Sequence, residues 1–329
     1  MIKAQVKPKL TILAKIALTI SLLYYVLSLI EIDELRPIFS QLNFSYFTAA
    51  IILHVIAFYI MSIRWWIILN SSPHHIQYKN IVAGYYFGLF CNNFLPTSMG
   101  GDVVRIIKLR SHGINTNRLI FSTIFDRVIG LVTIILMGIM GVNFSDSIYN
   151  KIGSNSIYLV NIISATSVLL FLTVLNSRVR SYLLNMVVSK IRLWNKLNNF
   201  VIYSHEYIES VKKVKTIASI TILSFMSQLL VVITYYLISK SLHINISLVE
   251  YILIVPAIAL FTSIPISVGG LGVRESVLVF LLGTIGVATP NAVSISLLYL
   301  TVLVLVTIPG GLFLLSGKRQ TDNHCILHE

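Results

Sequence analysis

Residues 96–105 read PTSMGGDVVR and residues 265–274 read PISVGGLGVR, so the pattern P-x-S-x-G-G-x-x-V-R occurs twice in this chain. In both copies an arginine follows the proline by nine positions, and a carboxylate lies close to it, Asp102 in the first copy and Glu275 in the second. Proline and paired glycines interrupt helices. Two interrupted apolar helices in corresponding positions of two halves indicate a transporter that lies in the membrane.

The composition agrees with a membrane location. The 329 residues are 56% hydrophobic and 11% charged, whereas soluble domains carry roughly 25% charged residues. The sequence therefore predicts an all-α integral membrane protein built as one polytopic domain over residues 1–329. No polar stretch is long enough for a separate soluble domain, since the longest is the basic loop 176–216.

The net charge of +13 comes from basic residues at the ends of apolar segments. Eight of them lie between Arg178 and Lys215, and Lys318 and Arg319 follow the last apolar segment. This distribution is typical of loops on the cytoplasmic side of a membrane. It excludes a nucleic-acid binder as the main interpretation and predicts the cytoplasmic membrane as the location, with both termini in the cytoplasm.

Six segments are long and apolar enough to cross the roughly 30 Å hydrocarbon layer. They are residues 10–30, 46–69, 119–142, 157–175, 217–239 and 290–315. The segments around the two motifs are shorter. If residues 81–112 and 248–285 each form a re-entrant hairpin, the basic residues after the first motif stay cytoplasmic, and the two hairpins enter from opposite sides. The sequence thus predicts an inverted repeat.

The repeated motif suggests an anion site. Irregular backbone at membrane depth must face protein or a watery cavity, and the glycines of both copies are expected to adopt positive φ. A helix that starts at such a break suits a phosphate, and an arginine adds a bidentate fork. We expect Arg105 and Arg274 to contact the phosphate of a headgroup. The alternative is that Arg105 pairs with Glu275, or Asp102 with Arg274, and merely locks the two hairpins together.

For two other pairs of polar residues the sequence leaves two structural roles open. Asn92 and Asn93 precede the first break and either cap it or line a cavity. In the pair Asp126 and Arg127, the arginine is either a cytoplasmic anchor or faces the first hairpin. The run that begins at Arg64, Arg-Trp-Trp, looks like an interfacial anchor. The scattered cysteines and histidines predict no metal site and no cofactor.

Three stretches resemble the flippase-like transmembrane family that includes the membrane half of bacterial lysylphosphatidylglycerol synthases. They are NNFLPTSMGGDVVRIIKL from residue 92, FDRVIGL at 125–131 and PISVGGLGVRES at 265–276. The resemblance implies a polytopic bundle with re-entrant helices that moves a lipid with a phosphate-bearing headgroup between leaflets. The candidate headgroup-binding positions are Asn92, Asn93, Pro96, Ser98, Gly100, Gly101, Asp102, Arg105, Asp126, Arg127, Pro265, Ser267, Gly269, Gly270, Arg274 and Glu275.

The expected function is a flippase-like transporter for an anionic phospholipid or a polyprenyl-phosphate-linked glycan precursor, and not an enzyme. The synthases of the family carry a soluble aminoacyl-transfer domain that this sequence is expected to lack. One alternative is an intramembrane enzyme on a lipid-linked precursor with Asp102 or Glu275 as general base. Another is a scaffold that binds a partner through the basic loop 176–216. Membrane lipids are the expected partners, and a homo-oligomer or a lipid-biosynthesis partner stays open.

Overall fold

The structure is a computed structural model. It describes residues 3–29, 32–71, 76–95, 100–111, 113–144, 208–211, 213–264 and 266–316, with a few positions between 161 and 173. Over these residues the regular structure is helical, and they contain no strand. The predicted all-α class is therefore confirmed for this part of the chain.

The helices follow a repeated order of lengths. In chain order they are α1 (Lys3–Ser28), α2 (Ile32–Ser40), α3 (Phe44–Leu69), α4 (Tyr78–Asn92), α5 (Gly100–Arg110), α6 (Thr116–Phe144), α7 (Val214–Ser241), α8 (Leu248–Ser263), α9 (Val273–Thr284) and α10 (Thr289–Ser316). Helices α3 to α6 run long, short, short, long, and helices α7 to α10 repeat that order. The two motifs join the short pair in each half.

Four helices are long and apolar enough to cross a membrane: α3, α6, α7 and the Thr289–Leu312 part of α10. They coincide with four of the six predicted spans, which confirms a multi-pass membrane protein. Within α1 the described apolar stretch is shorter, Lys15–Val26. Most of the predicted span 157–175 and most of the loop 176–216 lie outside the described residues.

The two short pairs match the predicted hairpin arms closely. Helices α4 and α5 have 15 and 11 residues, and α8 and α9 have 16 and 12. At 1.5 Å per residue none exceeds about 24 Å. Helix α8 starts at a capping box, in which the Ser247 hydroxyl accepts from the Glu250 amide and the Glu250 carboxylate accepts from the Ser247 amide.

Packing between the halves is reciprocal. Helix α3 packs on α7, α10 packs on α4, and α6 packs on α8. Both of the latter contacts depend on glycine: a Cβ on Gly310 would lie 2.0 Å from the Tyr86 carbonyl oxygen, and one on Gly141 would lie 2.6 Å from the Leu253 amide nitrogen. Each half therefore packs its last long helix against the first short helix of the other half.

The first break differs from the prediction. Gly100 and Gly101 form the first turn of α5, and neither has positive φ. The expectation that both motif copies use glycine for positive φ is therefore wrong for this copy. Its glycines permit close packing instead, since a Cβ on Gly101 would lie 2.2 Å from the carbonyl oxygen of Gly88 on α4. Pro96 and Ser98 lie outside the described residues.

The second break confirms the prediction. Gly269, Gly270 and Gly272 have φ of 58°, 78° and 80°, values that glycine adopts without steric cost. The Val268 amide donates to the hydroxyl of Thr19 on α1, 2.9 Å away. Pro265 lies outside the described residues.

The two breaks lie against each other. A Cβ on Gly269 would be 2.9 Å from the carbonyl oxygen of Asn92, where α4 ends. The side-chain amide of Asn93 donates to the hydroxyl of Thr307 on α10, 2.8 Å away. The turn of the second motif copy therefore contacts the C-terminal end of α4, where the first half is interrupted.

Candidate functional site: a charged cavity beside the first break

A cavity of about 280 Å³ lies beside the first break. Six helices, α3 to α8, contribute to its wall. The lining residues are Met61, Arg64, Tyr85, Gly88, Leu89, Asn92, Gly101, Asp102, Arg105, Asp126, Arg127, Gly130, Leu131, Ile134, Gln228 and Ser263. Five of these carry a charge, and they form a chain of alternating sign that we call the charge ladder: Arg64, Asp126, Arg105, Asp102 and Arg127.

The buried end of the ladder joins α3 to α6. The Arg64 Nε donates to Asp126 Oδ1 at 2.8 Å, and the two side chains are only 6% and 5% exposed. A second guanidinium nitrogen of Arg64 donates to the hydroxyl of Ser224 on α7, 2.9 Å away. A buried ion pair is tolerated when further hydrogen bonds satisfy its remaining donors, and Ser224 supplies one.

Arg105 is the centre of the ladder. Its Nη2 lies 3.1 Å from an oxygen of Asp102 and 3.6 Å from an oxygen of Asp126. The guanidinium carbon lies 4.2 Å from the ring centre of Trp65 and 5.2 Å from that of Tyr85. Aromatic faces hold a guanidinium in place and attract its charge. Its Nε is buried and has no hydrogen-bond partner among the described residues.

The outer end of the ladder joins α5 to α6. The Arg127 Nε donates to Asp102 Oδ2, and these two side chains are 34% and 18% exposed. Of the two predicted roles of Arg127, contact with residues 81–112 is the one that the structure shows, through Asp102 on α5. The two outer members are therefore partly exposed, whereas Arg105, Asp126 and Arg64 are only 5 to 6% exposed.

The ladder can exchange partners with an anion. Arginine presents five donors in a planar fork that fits carboxylate and phosphate oxygens equally well. Each aspartate contacts the guanidinium groups of two arginines. A phosphate in the cavity would compete with the carboxylates for the same N–H donors. Because the side chains of Arg64, Asp126 and Arg105 are only 5 to 6% exposed, their interactions are stronger than on a protein surface.

The second motif copy does not line this cavity. A guanidinium nitrogen of Arg274 lies 3.5 Å from the Gly269 carbonyl oxygen, and the guanidinium carbon lies 5.7 Å from the ring centre of Tyr299. Among the described residues, no ion pair joins Arg105 to Glu275 or Asp102 to Arg274. Pairing across the hairpins, the alternative left open by the sequence, is thus replaced by pairing within the first half.

The carboxylate of Glu275 has a local role. It accepts a hydrogen bond from the Gly272 amide at 2.5 Å and so caps the N-terminus of α9. Ser267, in the turn that precedes α9, is 2% exposed.

Asn92 and Asn93 make different contacts. Asn92 does both things that were considered: it lines the cavity, and its side-chain oxygen accepts from the Gly101 amide at the start of α5, with an N···O distance of 3.4 Å. Asn93 instead binds Thr307 and ties α4 to α10.

The interpretation of Arg64 as an interfacial anchor is wrong. Arg64 and Trp65 are 5% and 0% exposed, and Arg64 holds the buried end of the ladder. The signal was an arginine five residues inside an apolar span, and an ionisable residue in that setting is a functional hypothesis by default. Gln228 and Ser263, which line the cavity from α7 and α8, carried no comparable signal.

Comparison with known proteins identifies the family of this chain. Residues 12–310 match the family described as the lysylphosphatidylglycerol synthase TM region. The UPF0104 membrane protein PH1989 of Pyrococcus horikoshii is 22% identical, over 95% of this chain and 98% of its own length. The UPF0104 membrane protein MJ1078 of Methanocaldococcus jannaschii is 28% identical, over 64% of this chain and 86% of its own length. The chain belongs to the family of the lysylphosphatidylglycerol synthase transmembrane region.

Proposed function

We propose that this protein is a flippase-like transporter that moves a lipid with a phosphate-bearing headgroup between the leaflets of the cytoplasmic membrane. The substrate class is an anionic phospholipid or a polyprenyl-phosphate-linked glycan precursor. The observation that carries the proposal is the charge ladder, because three arginines and two aspartates line one cavity inside an apolar helical bundle.

Charges in such a place need a reason. Each arginine or aspartate near the centre of a membrane helix costs about 2.5 to 3.5 kcal/mol on insertion scales. Structural locking alone would need a single pair, whereas the ladder has five members and surrounds a space of about 280 Å³. A headgroup phosphate that enters this space would exchange carboxylate contacts of Arg105 and Arg127 for its own oxygens.

The repeated helix order supports a transport mechanism. Helices α4, α5, α8 and α9 are shorter than the roughly 30 Å hydrocarbon layer, so each pair enters and leaves on one side in our proposal. With opposite entry sides, rocking of the two halves would expose the cavity to one leaflet and then to the other. The glycine contacts of Gly310 and Gly141 form the matching surfaces between the halves.

A reconstitution assay tests the proposal. Purified protein is placed in liposomes that contain a fluorescent phosphatidylglycerol, and a membrane-impermeant quencher measures how fast the inner-leaflet lipid becomes accessible. We expect exchange well above that of protein-free liposomes, with a rate at least tenfold lower for Arg105→Gln. Arg110→Gln is the matched control, since Arg110 lies on the same helix, is exposed and does not line the cavity.

Two results would sink the proposal. One is the absence of both exchange and binding for every phosphate-bearing lipid tried, including a polyprenyl phosphate. The other is exchange that Arg105→Gln leaves unchanged while the variant remains folded.

A further inference from the structure

We propose that Glu275, in the second half, binds the proton that drives the transporter, and that this proton acts by loosening the turn before α9. The proposal rests on the proposed function, because it names the coupling ion of the same transporter. Its basis is a buried carboxyl group with an unused oxygen. Glu275 is 2% exposed. Its Oε2 accepts from the Gly272 amide, whereas its Oε1 has no hydrogen-bond partner among the described residues.

An ionised carboxylate in this position is costly. Burying a charge costs far more than burying a neutral polar group, and buried polar atoms are almost always hydrogen-bonded. A basic side chain in contact would offset that cost, but among the described residues no ion pair joins Glu275 to Arg274 or to any other cation. A proton removes the charge instead. It comes from water and forms an O–H bond at Oε1, and deprotonation returns it to water.

The other two carboxylates near the breaks are less suited to this task. Asp102 and Asp126 each contact the guanidinium groups of two arginines. Protonation of either aspartate would remove the counter-charge of two arginines at once, whereas protonation of Glu275 breaks no ion pair among the described residues.

The surroundings of Glu275 contain few groups that titrate. Helix α9 packs on α1, α8 and α10. The residues of α1 and α8 that touch its turn are Thr19, Leu22 and Thr262, which do not titrate. The charged and titratable groups that interact with Glu275, or with the arginine beside it, lie on α3, α7, α9 and α10: His54, Tyr235, Arg274 and Tyr299.

His54 is the competing proton site. It is fully buried, and neither ring nitrogen has a hydrogen-bond partner among the described residues. Its ring packs edge-on against Phe58 and Tyr299, with ring centres 4.6 and 5.5 Å apart. Glu275 is favoured over His54 because it alone of the two is bonded to the turn, through Gly272.

A proton can drive a movement only if it binds two states differently, and the bond to Gly272 provides that difference. When Glu275 is ionised, this bond is charge-assisted and lies at a helix N-terminus, which favours a negative charge. Protonation removes the charge and weakens the bond. Gly272 closes a turn in which Gly269 and Gly270 also have positive φ, so a weaker cap frees the whole turn to move.

The turn is in contact with the edge of the cavity. A Cβ on Gly269 would lie 2.9 Å from the carbonyl oxygen of Asn92. Asn92 lines the cavity, and its side-chain oxygen accepts from the Gly101 amide. A turn that withdraws from Asn92 therefore changes the cavity wall, and the proton acts from the second half on a site in the first.

Infrared spectroscopy of the full chain in lipid nanodiscs detects the proton itself. Isotope-labelled glutamate separates the C=O band of a protonated glutamate from that of an aspartate. Over a titration from about pH 4 to about pH 9, we expect one glutamic acid band that exchanges slowly in D2O, because the group is buried, and that disappears at high pH. The band should be missing in Glu275→Gln and present in Glu250→Gln. The wild-type titration answers the question even if Glu275→Gln does not fold.

The leaflet-exchange assay with fluorescent phosphatidylglycerol measures the coupling. A pH gradient should shift the steady-state leaflet ratio of this lipid by about threefold or more relative to protein-free liposomes, and the reversed gradient should reverse the shift. Glu275→Gln keeps an oxygen for the Gly272 amide but carries no charge, so it should still exchange the lipid and ignore the gradient. Glu250→Gln is the matched control, since Glu250 also caps a short helix of the second half. This control and His54→Gln should respond like the wild type.

The outcomes separate this proposal from the proposed function. If the wild-type protein exchanges lipid but shows no such band, or ignores the gradient, the proton site is wrong while lipid transport stands. A response that survives in Glu275→Gln and is lost in His54→Gln would overturn the choice of Glu275. If no phosphate-bearing lipid is exchanged although the Glu275 band titrates, the proposed function is wrong, and the coupling falls with it.

Discussion

The two halves of the molecule share one scaffold but fill it with different chemistry. Where α3 meets α6 in the first half, Arg64 pairs with Asp126. At the corresponding contact of α7 with α10 in the second half, Tyr235 stacks on Tyr299 with ring centres 4.0 Å apart. In each half the arginine of the repeated motif contacts one residue of that pair. Arg105 contacts Asp126 on α6, and Arg274 contacts Tyr299 on α10.

The motif glycines diverge in the same way. In the first copy they lie in a helix and permit close contact with α4, whereas in the second they form a turn with positive φ. The repeated motif therefore marks where a helix is interrupted in each half, but the glycines have different structural roles in the two copies. We propose that the first half binds the headgroup and that the turn of the second half supports Asn92 at the edge of the cavity.

The largest expected effect is on the buried ion pair. Among the described residues, Arg64→Gln leaves Asp126 with only the longer contact to Arg105, and breaking a buried pair from one side costs about 3 to 5 kcal/mol. Tyr235→Phe, at the matching position of the second half, keeps the ring and should cost about 1 kcal/mol or less. Unfolding of both variants by SDS in mixed micelles measures the difference.

The double variant Arg64→Gln with Asp126→Asn sharpens that comparison. Because it removes both charges together, it should cost less than the sum of the two single changes. Equal costs for Arg64→Gln and Tyr235→Phe would show that the charged half and the aromatic half are held together in the same way.

The next effect concerns the first-copy glycine. Gly101→Ala places a methyl group 2.2 Å from the Gly88 carbonyl oxygen, and forcing atoms into a packed contact typically costs about 1 to 3 kcal/mol. Gly283→Ala is the control, since Gly283 is helical and a Cβ there meets no atom within 4 Å. The same unfolding assay should find that control neutral or slightly stabilising, and equal losses for both variants would contradict the packing role.

At the second-copy glycine the cost has another cause. Gly270 has φ of 78°, and the nearest atoms to an added Cβ are 3.4 Å away. Gly270→Ala should cost about 1 to 2 kcal/mol for the left-handed conformation, and Gly270→Asn should cost less, because asparagine tolerates that conformation. At Gly101 the order should reverse, with asparagine the worse of the two. The same order at both positions would refute a division of roles between the copies.

The smallest effect is the link between α1 and the second turn. Thr19→Val removes the acceptor of the Val268 amide, which should cost about 1 kcal/mol in unfolding free energy. The control is Thr301→Val, since Thr301 is exposed and its hydroxyl donates within its own helix to Leu297. A loss no greater than that of the control would mean that α1 does not hold the turn.

Local features of this fold could be predicted, and contacts between distant residues could not. Apolar runs and glycine pairs gave the four long helices and the two short pairs within a few residues. The role of Gly101 depends on Gly88, thirteen positions earlier on a neighbouring helix, and no local pattern encodes that distance. The cap formed by Glu275 was not predicted, because Gly272 has no side chain and the chain therefore lacks the Ser or Thr that marks a capping box.

The charge ladder could be predicted only in part. Asp102, Arg105, Asp126 and Arg127 were candidates from the repeated motif and the family resemblance. Their order of pairing depends on how α3, α5 and α6 meet, and Arg64 joins them only in the folded bundle.

The most direct test of the central claim, that the headgroup binds in the first half, compares the two motif arginines in one leaflet-exchange assay. Arg105→Gln and Arg274→Gln make the same chemical change at equivalent motif positions. We predict at least a tenfold loss of phosphatidylglycerol exchange for Arg105→Gln and less than a threefold loss for Arg274→Gln, in proteins that unfold at similar SDS concentrations. Equal losses, or a larger loss for Arg274→Gln, would contradict it.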